Sequence, residues 1–302
     1  MRTLSSLPAR RRLLAPVALV AAGTLLLSAC GSDDGGSGEG GGGANAEAPL
    51  FDQLPAEVQE SGVLRVGTNA AYAPMEYVEG DDIVGVDPDL GAALGEQLGV
   101  EFEFTNAPFD SLLTSLSSGR LDVVMSAMSD TAERQETVDF VDYFNSGTSI
   151  LVAAGNPEGI QTLDDLCGKT IALQKATTME EIAEAQKERC ATEGLGELTV
   201  NTYENDTDAL LQVRQGRAVA DLNDFPVAAY NAQNSEGAYE VVGEMTDAGP
   251  FGIAVPKEDT QLRDAIAAAL DAIIADGSYA EVLEKWNVSA GAVEAAEING
   301  GS

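Results

Sequence analysis

The sequence holds 302 residues and no histidine, so any chemistry rests on hydroxyls, carboxylates and a few cations. One stretch concentrates such groups. MSAMSDTAER, residues 125–134, sets Ser126, Ser129, Asp130 and Thr131 just ahead of Arg134. An arginine makes two parallel hydrogen bonds to a carboxylate, and neighbouring hydroxyls extend that grip. In KATTM, residues 175–179, Thr177 and Thr178 precede a helical pattern, where hydroxyls and free backbone N–H groups bind anions. Asp224, in LNDFP, offers an acceptor for an ammonium group, and Tyr72 and Phe109 offer flat apolar walls. Together these residues complement a zwitterion: carboxylate to Arg134 and Thr178, ammonium to Asp224, side chain between two rings. Each alone has an ordinary explanation: a surface ion pair for Arg134, a helix cap before Pro226 for Asp224, core packing for the rings. Their convergence is what carries the reading.

The elements that must position them alternate. VLRVG reads as a strand, and DPDLGAALGEQLG as a helix capped by Asp87, with Leu90, Leu94 and Leu98 on one face and Gly99 as its stop. EFEFT follows as a strand, DSLLTSLSSG as a helix, LDVVMSA as a strand, and TAER as the start of another helix. This is α/β with a largely parallel sheet. The second half repeats the order: LLQVRQGRAVADLND matches LLTSLSSGRLDVVMSAMSD as helix, Gly-Arg, strand and polar end. In parallel sheets ligands sit beyond the carboxyl ends of strands. Applied to two similar lobes, that rule gathers residues 68–76, 126–134, 174–178 and 223–226 in one cleft.

The N-terminus reads as a targeting segment. Residues 1–29 carry four arginines, no acid and an apolar stretch from Leu13 that Pro16 interrupts and that is short for a bilayer span. Leu27-Ser28-Ala29-Cys30 resembles the lipobox of bacterial lipoproteins, whose cysteine is acylated, so residues 1–29 are expected to be a signal peptide and Cys30 the lipidated start. Residues 30–48, rich in glycine and acid, form a tether. Beyond the signal peptide remain 12 cations against 50 anions. Such a surface disfavours nucleic acid and anionic lipid as partners. Without histidine a zinc hydrolase or a Ser-His-Asp enzyme is excluded, and no cofactor or metal is implied. Export permits a disulfide between the two other cysteines, Cys167 and Cys190, closing a loop of about 24 residues worth roughly 3 kcal/mol.

The run LRVGTNAAYAPMEY…IVGVDPDLGAALGEQLGVEFEF…FDSLLTSLSSGRLDVVMSAMSDTAERQETVDFVDYF closely resembles the family 3 extracellular solute-binding proteins, the polar amino-acid receptors of ABC importers. The likeness continues through LDDLCGKTIALQKATTMEE, GRAVADLNDFPVAAY and FGIAVPK, to about residue 288. The resemblance implies a type II periplasmic-binding-protein fold: two lobes, each with a mostly parallel central sheet, joined by two crossover hinge segments near residues 145–150 and 244–250. Lobe 1 would comprise 49–147 and 248–302, and lobe 2 would comprise 148–247. It also implies ligand contacts. The stacking aromatic of the first loop matches Tyr72, and the opposing one matches Phe109. The stretch that holds the ligand's amino and carboxylate groups matches Ser126-Ala127-Met128-Ser129. The carboxylate arginine matches Arg134, the second-lobe anion loop Ala176-Thr177-Thr178, and the ammonium aspartate Asp224.

Four positions depart from the family's habit: Asn69 stands for Asp, Met75 for Phe, Asp130 for an apolar residue and Ala176 for Gly. Asn69 is neutral and both donates and accepts, which suits an amide or ureido group. A neutral polar ligand such as glutamine is therefore expected over arginine or lysine, unless Glu76 or Asp130 supplies a charge. The expected protein is a monomeric receptor, lipid-anchored at the outer face of the cytoplasmic membrane, that hands a small amino acid to an ABC permease without catalysis. Rival readings are an exported enzyme on the same fold, cyclohexadienyl dehydratase-like, and a partner that presents its ligand to a membrane sensor.

Overall fold

The structure is a computed structural model and describes residues 43–302. The expected signal peptide, Cys30 and the first part of the tether lie outside the described residues. Among the described residues no helix is long and apolar enough to cross a membrane.

The apolar runs become strands and the leucine-spaced runs become helices. In chain order they are α1 (Ala56–Ser61), β1 (Val63–Thr68), β2 (Ala71–Tyr72), β3 (Glu76–Glu79), β4 (Asp82–Val84), α2 (Val86–Leu98), β5 (Glu101–Asn106), α3 (Leu112–Ser117), β6 (Val123–Val124) and β7 (Val138–Ala153). Then come β8 (Thr170–Gln174), α4 (Thr178–Glu193), β9 (Thr199–Tyr203), α5 (Asp206–Arg214), β10 (Ala220–Asp224), α6 (Phe225–Asn234), β11 (Tyr239–Pro256), α7 (Thr260–Asp276), α8 (Ser278–Lys285) and β12 (Glu297–Ile298).

The main sheet runs β5-β1-β6-β11-β7-β10-β8-β9, with β12 added beside β7. β5, β1 and β6 are parallel to one another, as are β10, β8 and β9. The long strands β7 and β11 are antiparallel to each other and run through both groups, which makes them the two crossover segments of a type II periplasmic-binding-protein fold. Their ladder slips between Val242 and Thr246 and again between Thr246 and Gly249. A register break loosens a pair locally and concentrates bending there.

One apolar core, built on Leu64, Leu90, Leu94, Leu98, Ile253 and Leu270, lies on one side of these slips, and a second, built on Val152, Ile171, Leu173, Ala183 and Leu222, lies on the other. Further apolar clusters cover the opposite sheet faces, with Leu112, Leu116 and Phe140 in the first lobe and Ala209 and Val213 in the second. Coverage on both faces is why the inner strand β6 and the middle of β8 read as continuous apolar runs, while the edge strands β5 and β9 expose alternate or most residues. The two helix, Gly-Arg, strand units also match in backbone, since Gly119 and Gly216 both turn left-handed after α3 and α5.

Three local expectations are corrected. The helix expected to begin at a capping Asp87 begins earlier, with Gly85 as its N-cap. Asp87 is instead fully buried, accepting from the Ala127 N–H at 2.9 Å and the Tyr143 hydroxyl at 2.7 Å. The strand LDVVMSA is reduced to Val123–Val124, because the chain turns at Ser126, so that Ser126, Ala127 and Ser129 line a cleft while Met128 packs into the core. TAER starts no α-helix. It yields one 3-10 turn, Arg134–Glu136, since the chain enters β7 at Val138. Cys167 and Cys190 are joined as a disulfide that ties the start of the second lobe to the buried face of α4.

Candidate functional site

Strands β1, β6, β8 and β10 all end at one cleft between the lobes, as a parallel sheet arranged twice dictates. The cavity left between these strand ends is small, about 20 Å³, room for little more than one water, so the lobes are drawn together around it. All ten residues expected to contact a ligand line it: Asn69, Tyr72, Phe109, Ser126, Ala127, Ser129, Arg134, Thr177, Thr178 and Asp224. Glu76, Gln174 and Met179 join them.

Arg134 follows the β6 loop and is aimed by it. Its Nη1 donates to the Ser129 carbonyl at 2.7 Å, and its Nη2 reaches across the cleft to the Ala176 carbonyl at 3.2 Å. Among the described residues its guanidinium meets no carboxylate within ion-pair distance, which removes the surface ion-pair explanation. The guanidinium lies 5.7 Å from the centre of the Phe109 ring, so that aromatic both walls the cleft and holds the cation. Burial lowers the Arg134 pKa against the pull of Glu181, Asp224, Glu133 and Asp130. It remains charged, since guanidinium does not deprotonate in proteins. Five donors and two bonds to carbonyls leave N–H groups for a ligand carboxylate. Thr178 stands beside it with its hydroxyl 3.5 Å from that of Ser129. Thr177 has a different part: it caps α4 by accepting from the Glu180 N–H at 3.3 Å and donates to the Gln174 carbonyl at 2.8 Å.

Asp224 occupies the N-cap position of α6, yet its side chain does not cap the helix. It accepts instead from the Tyr72 hydroxyl of the other lobe at 2.6 Å and from Ser146 at 3.4 Å. It is 6% exposed. Burial raises its pKa to about 7, opposed by the bonds from Tyr72 and Ser146 and by the charge of Arg134. Two anion-loop residues, Ala127 and Ala176, hold left-handed φ values of 41° and 60°. A side chain is disfavoured there, and such strain collects at ligand loops. Ala176 thus takes the conformation that the expected glycine would adopt freely.

Asn69 is committed to protein groups. Its Nδ2 donates to the Ala107 carbonyl at 3.0 Å and to Asn205 Oδ1 at 3.2 Å, and its Oδ1 accepts from Gln174 Nε2 at 2.9 Å. The cleft's further acid is Glu76. Its Oε1 accepts from Ser126 Oγ at 2.9 Å, while its Oε2 is buried without a partner among the described residues. Burial first, then the nearby Asp87, pushes Glu76 well above the usual carboxylate range. Asp87 itself is raised to about 6 by burial, against the donors Ala127 and Tyr143. Asp130 faces away from this space and binds Gln135 and Gly301. Outside the cavity Lys175 ties Asp110, at 2.8 Å, to Glu204, at 2.7 Å, joining the lobes at the rim.

Sequence reasoning missed Met179, reached Gln174 only as the first residue of the cleft loop 174–178, and held Glu76 only as an alternative to Asp130 for supplying a charge. A signal existed for Gln174, an amide that closes the strand TIALQ after the buried apolar run Ile171-Ala172-Leu173. For Glu76, in the exposed-looking AYAPMEY, only the fold reveals burial.

Known proteins share this build. The family described as bacterial extracellular solute-binding proteins, family 3, matches residues 64–289. The arginine-binding protein ArgT of Corynebacterium glutamicum is 35% identical over 248 residues, covering 82% of this chain and 81% of its own. Among solved structures, an ancestral arginine-binding protein bound to arginine superposes with a TM-score of 0.69 at 36% identity, covering 74% of this chain and 98% of its own. An ancestral arginine-binding protein bound to glutamine gives a TM-score of 0.68 at 36% identity, covering 75% and 98%.

Proposed function

Because this chain belongs to family 3 of the bacterial extracellular solute-binding proteins, we propose that it captures a polar amino acid between two closing lobes and delivers it to a membrane ABC permease. The observation that carries the reading is that Arg134 from one lobe and Asp224 from the other line one cavity with the expected aromatic walls. The ligand carboxylate pairs with Arg134 and Thr178, its ammonium with Asp224, and its side chain lies between Tyr72 and Phe109. No covalent step is needed. Closing is driven by the ligand's higher affinity for the closed state, with the lobes, 49–147 plus 248–302 and 148–247, hinging at the crossovers.

The side chain bound is one that ends in a cation, with arginine the first candidate. This reverses the expectation built on Asn69, whose amide is already bonded to Gln174, Asn205 and Ala107. Selection passes to Glu76, a buried carboxyl in the same cavity that stands beside Asp87 and whose Oε2 meets no hydrogen-bond donor among the described residues. An unpaired buried acid is costly, and a ligand cation offsets that cost. Competition binding of arginine, lysine and glutamine tests this: arginine at least tenfold tighter than glutamine is expected, and the reverse order refutes it.

Anchoring by lipid at Cys30, a monomeric state and a position at the outer face of the cytoplasmic membrane complete the proposal. Loss of labelled palmitate in Cys30→Ser checks the anchor. The protein is a binder and no catalyst on this reading, so prephenate and arogenate should pass through incubation unchanged, and turnover of either would support the enzyme instead.

A further inference from the structure

After α8 the chain crosses the first lobe and adds β12 beside β7, pairing Glu297 with Asp142 and Ile298 with Val141. These residues lie beyond the 64–289 span that the family matches. From β12 onward the chain forms a strap over two buried acids. Asn299 accepts from the Phe140 N–H at 2.8 Å and donates to Asp139 at 3.1 Å. The Gly300 N–H donates to Asp142 at 2.9 Å, and the Gly301 N–H donates to Asp130 at 2.8 Å. The side-chain amide of Gln135 then donates both to the Gly301 carbonyl, at 3.0 Å, and to Asp130, at 2.8 Å.

Asp130 and Asp142 are each 3% exposed and lie next to each other. Burial, then the charge of Asp130, raises Asp142 to about 7, and the Gly300 N–H opposes that rise. Among the described residues Asp142 Oδ1 has no hydrogen-bond partner. Without the strap two adjacent buried carboxyls would lose donors at once, which a low-dielectric site does not tolerate in place.

Asp130 is also the middle of the loop that makes the anion site. Its N–H donates to the Pro250 carbonyl at 2.9 Å. On one side of it, the Ser129 carbonyl orients the Arg134 guanidinium. On the other, Thr131 Oγ1 accepts from the Arg134 N–H at 3.3 Å. The strap's fit is tight: a Cβ at position 301 would stand 2.1 Å from the Asp130 carbonyl oxygen, so only glycine allows the approach.

We propose that residues 297–302 are a positioning strap for the amino-acid site, holding loop 129–135 in the shape that aims Arg134 at the ligand carboxylate. The proposal rests on the receptor reading above. None of the strap residues lines the ligand cavity, so the strap acts through Arg134. Its action is therefore selective: it matters for ligands with a carboxylate and little for those without.

The test is calorimetric titration of the full chain and of Gly301→Val and Asn299→Ala with L-arginine and with agmatine, which lacks the carboxylate. Both variants should weaken arginine about tenfold or more, as a misplaced binding group does, and change agmatine less than about threefold. Amide hydrogen exchange at 129–135 in the free protein should quicken while that of the β8 amides stays unchanged. Arginine affinity left intact, or equal weakening of both ligands, overturns the strap while the receptor reading stands. A wild-type chain that binds no arginine overturns the ligand reading and the strap with it.

Discussion

On the proposed function Asp224 should couple ligand capture to protons, and its surroundings set the size of that coupling. Burial raises its pKa to about 7, whereas a ligand ammonium needs it ionised. With that value the carboxylate is about half ionised at pH 7 and about one per cent ionised at pH 5, so affinity should fall about fiftyfold across that interval. Above pH 8 it should level off. Stability of the free protein moves the opposite way. A carboxyl raised on folding contributes stability that is full below its ordinary value and is lost as pH climbs through about 7. Removing the charge with Asp224→Asn should cost about 2–5 kcal/mol of binding, because the ammonium is left buried and unpaired. The variant should also lose the part of the pH profile that glutamine and arginine share. Titration calorimetry from pH 5 to 9 measures both. A wild-type affinity independent of pH between 5 and 8, or a loss under tenfold in Asp224→Asn, would refute the clamp.

Glu76→Gln should weaken arginine by about tenfold or more while leaving glutamine within about threefold, since only a cation uses the buried charge; competition binding reads the ratio. Because Glu76 is pushed upward, arginine should release more protons on binding than glutamine does, which titration in buffers of different ionisation enthalpy counts. Opening the Cys167–Cys190 bridge should destabilise the second lobe by about 3 kcal/mol, seen as a lower unfolding midpoint under reductant. Ala176→Gly should stabilise the free protein by about 0.5–1 kcal/mol, because relief of the left-handed strain exceeds the added entropy of the unfolded chain. Denaturant titration decides that case, and destabilisation would count against strain at Ala176.

Much of the cleft could be read without coordinates. Strand ends carry ligands in parallel α/β sheets, and a strand that is apolar up to a polar end announces itself: LDVVMSA before Arg134 and VADLND at Asp224 did so. The leucine face of α2 and the cysteine pair were equally plain, being set by local periodicity and by count. What chain order could not convey is which polar side chain spends its hydrogen bonds on protein and which keeps them for a ligand. Asn69 looked like the selector, and only its meeting with Gln174 and Asn205, from far along the chain, shows its amide to be spoken for. Asp87 looked like a helix cap until the packing of Ala127 and Tyr143 around it drew it into the interior. Glu76 and Asp130, equal candidates in sequence, were separated by burial geometry: one lines the cavity and the other lies under the strap. Local pattern sets where the elements begin and which face is apolar, because both depend on near neighbours. The charge a cleft presents depends on desolvation and on partners brought together from distant segments, and those exist only once the chain has folded.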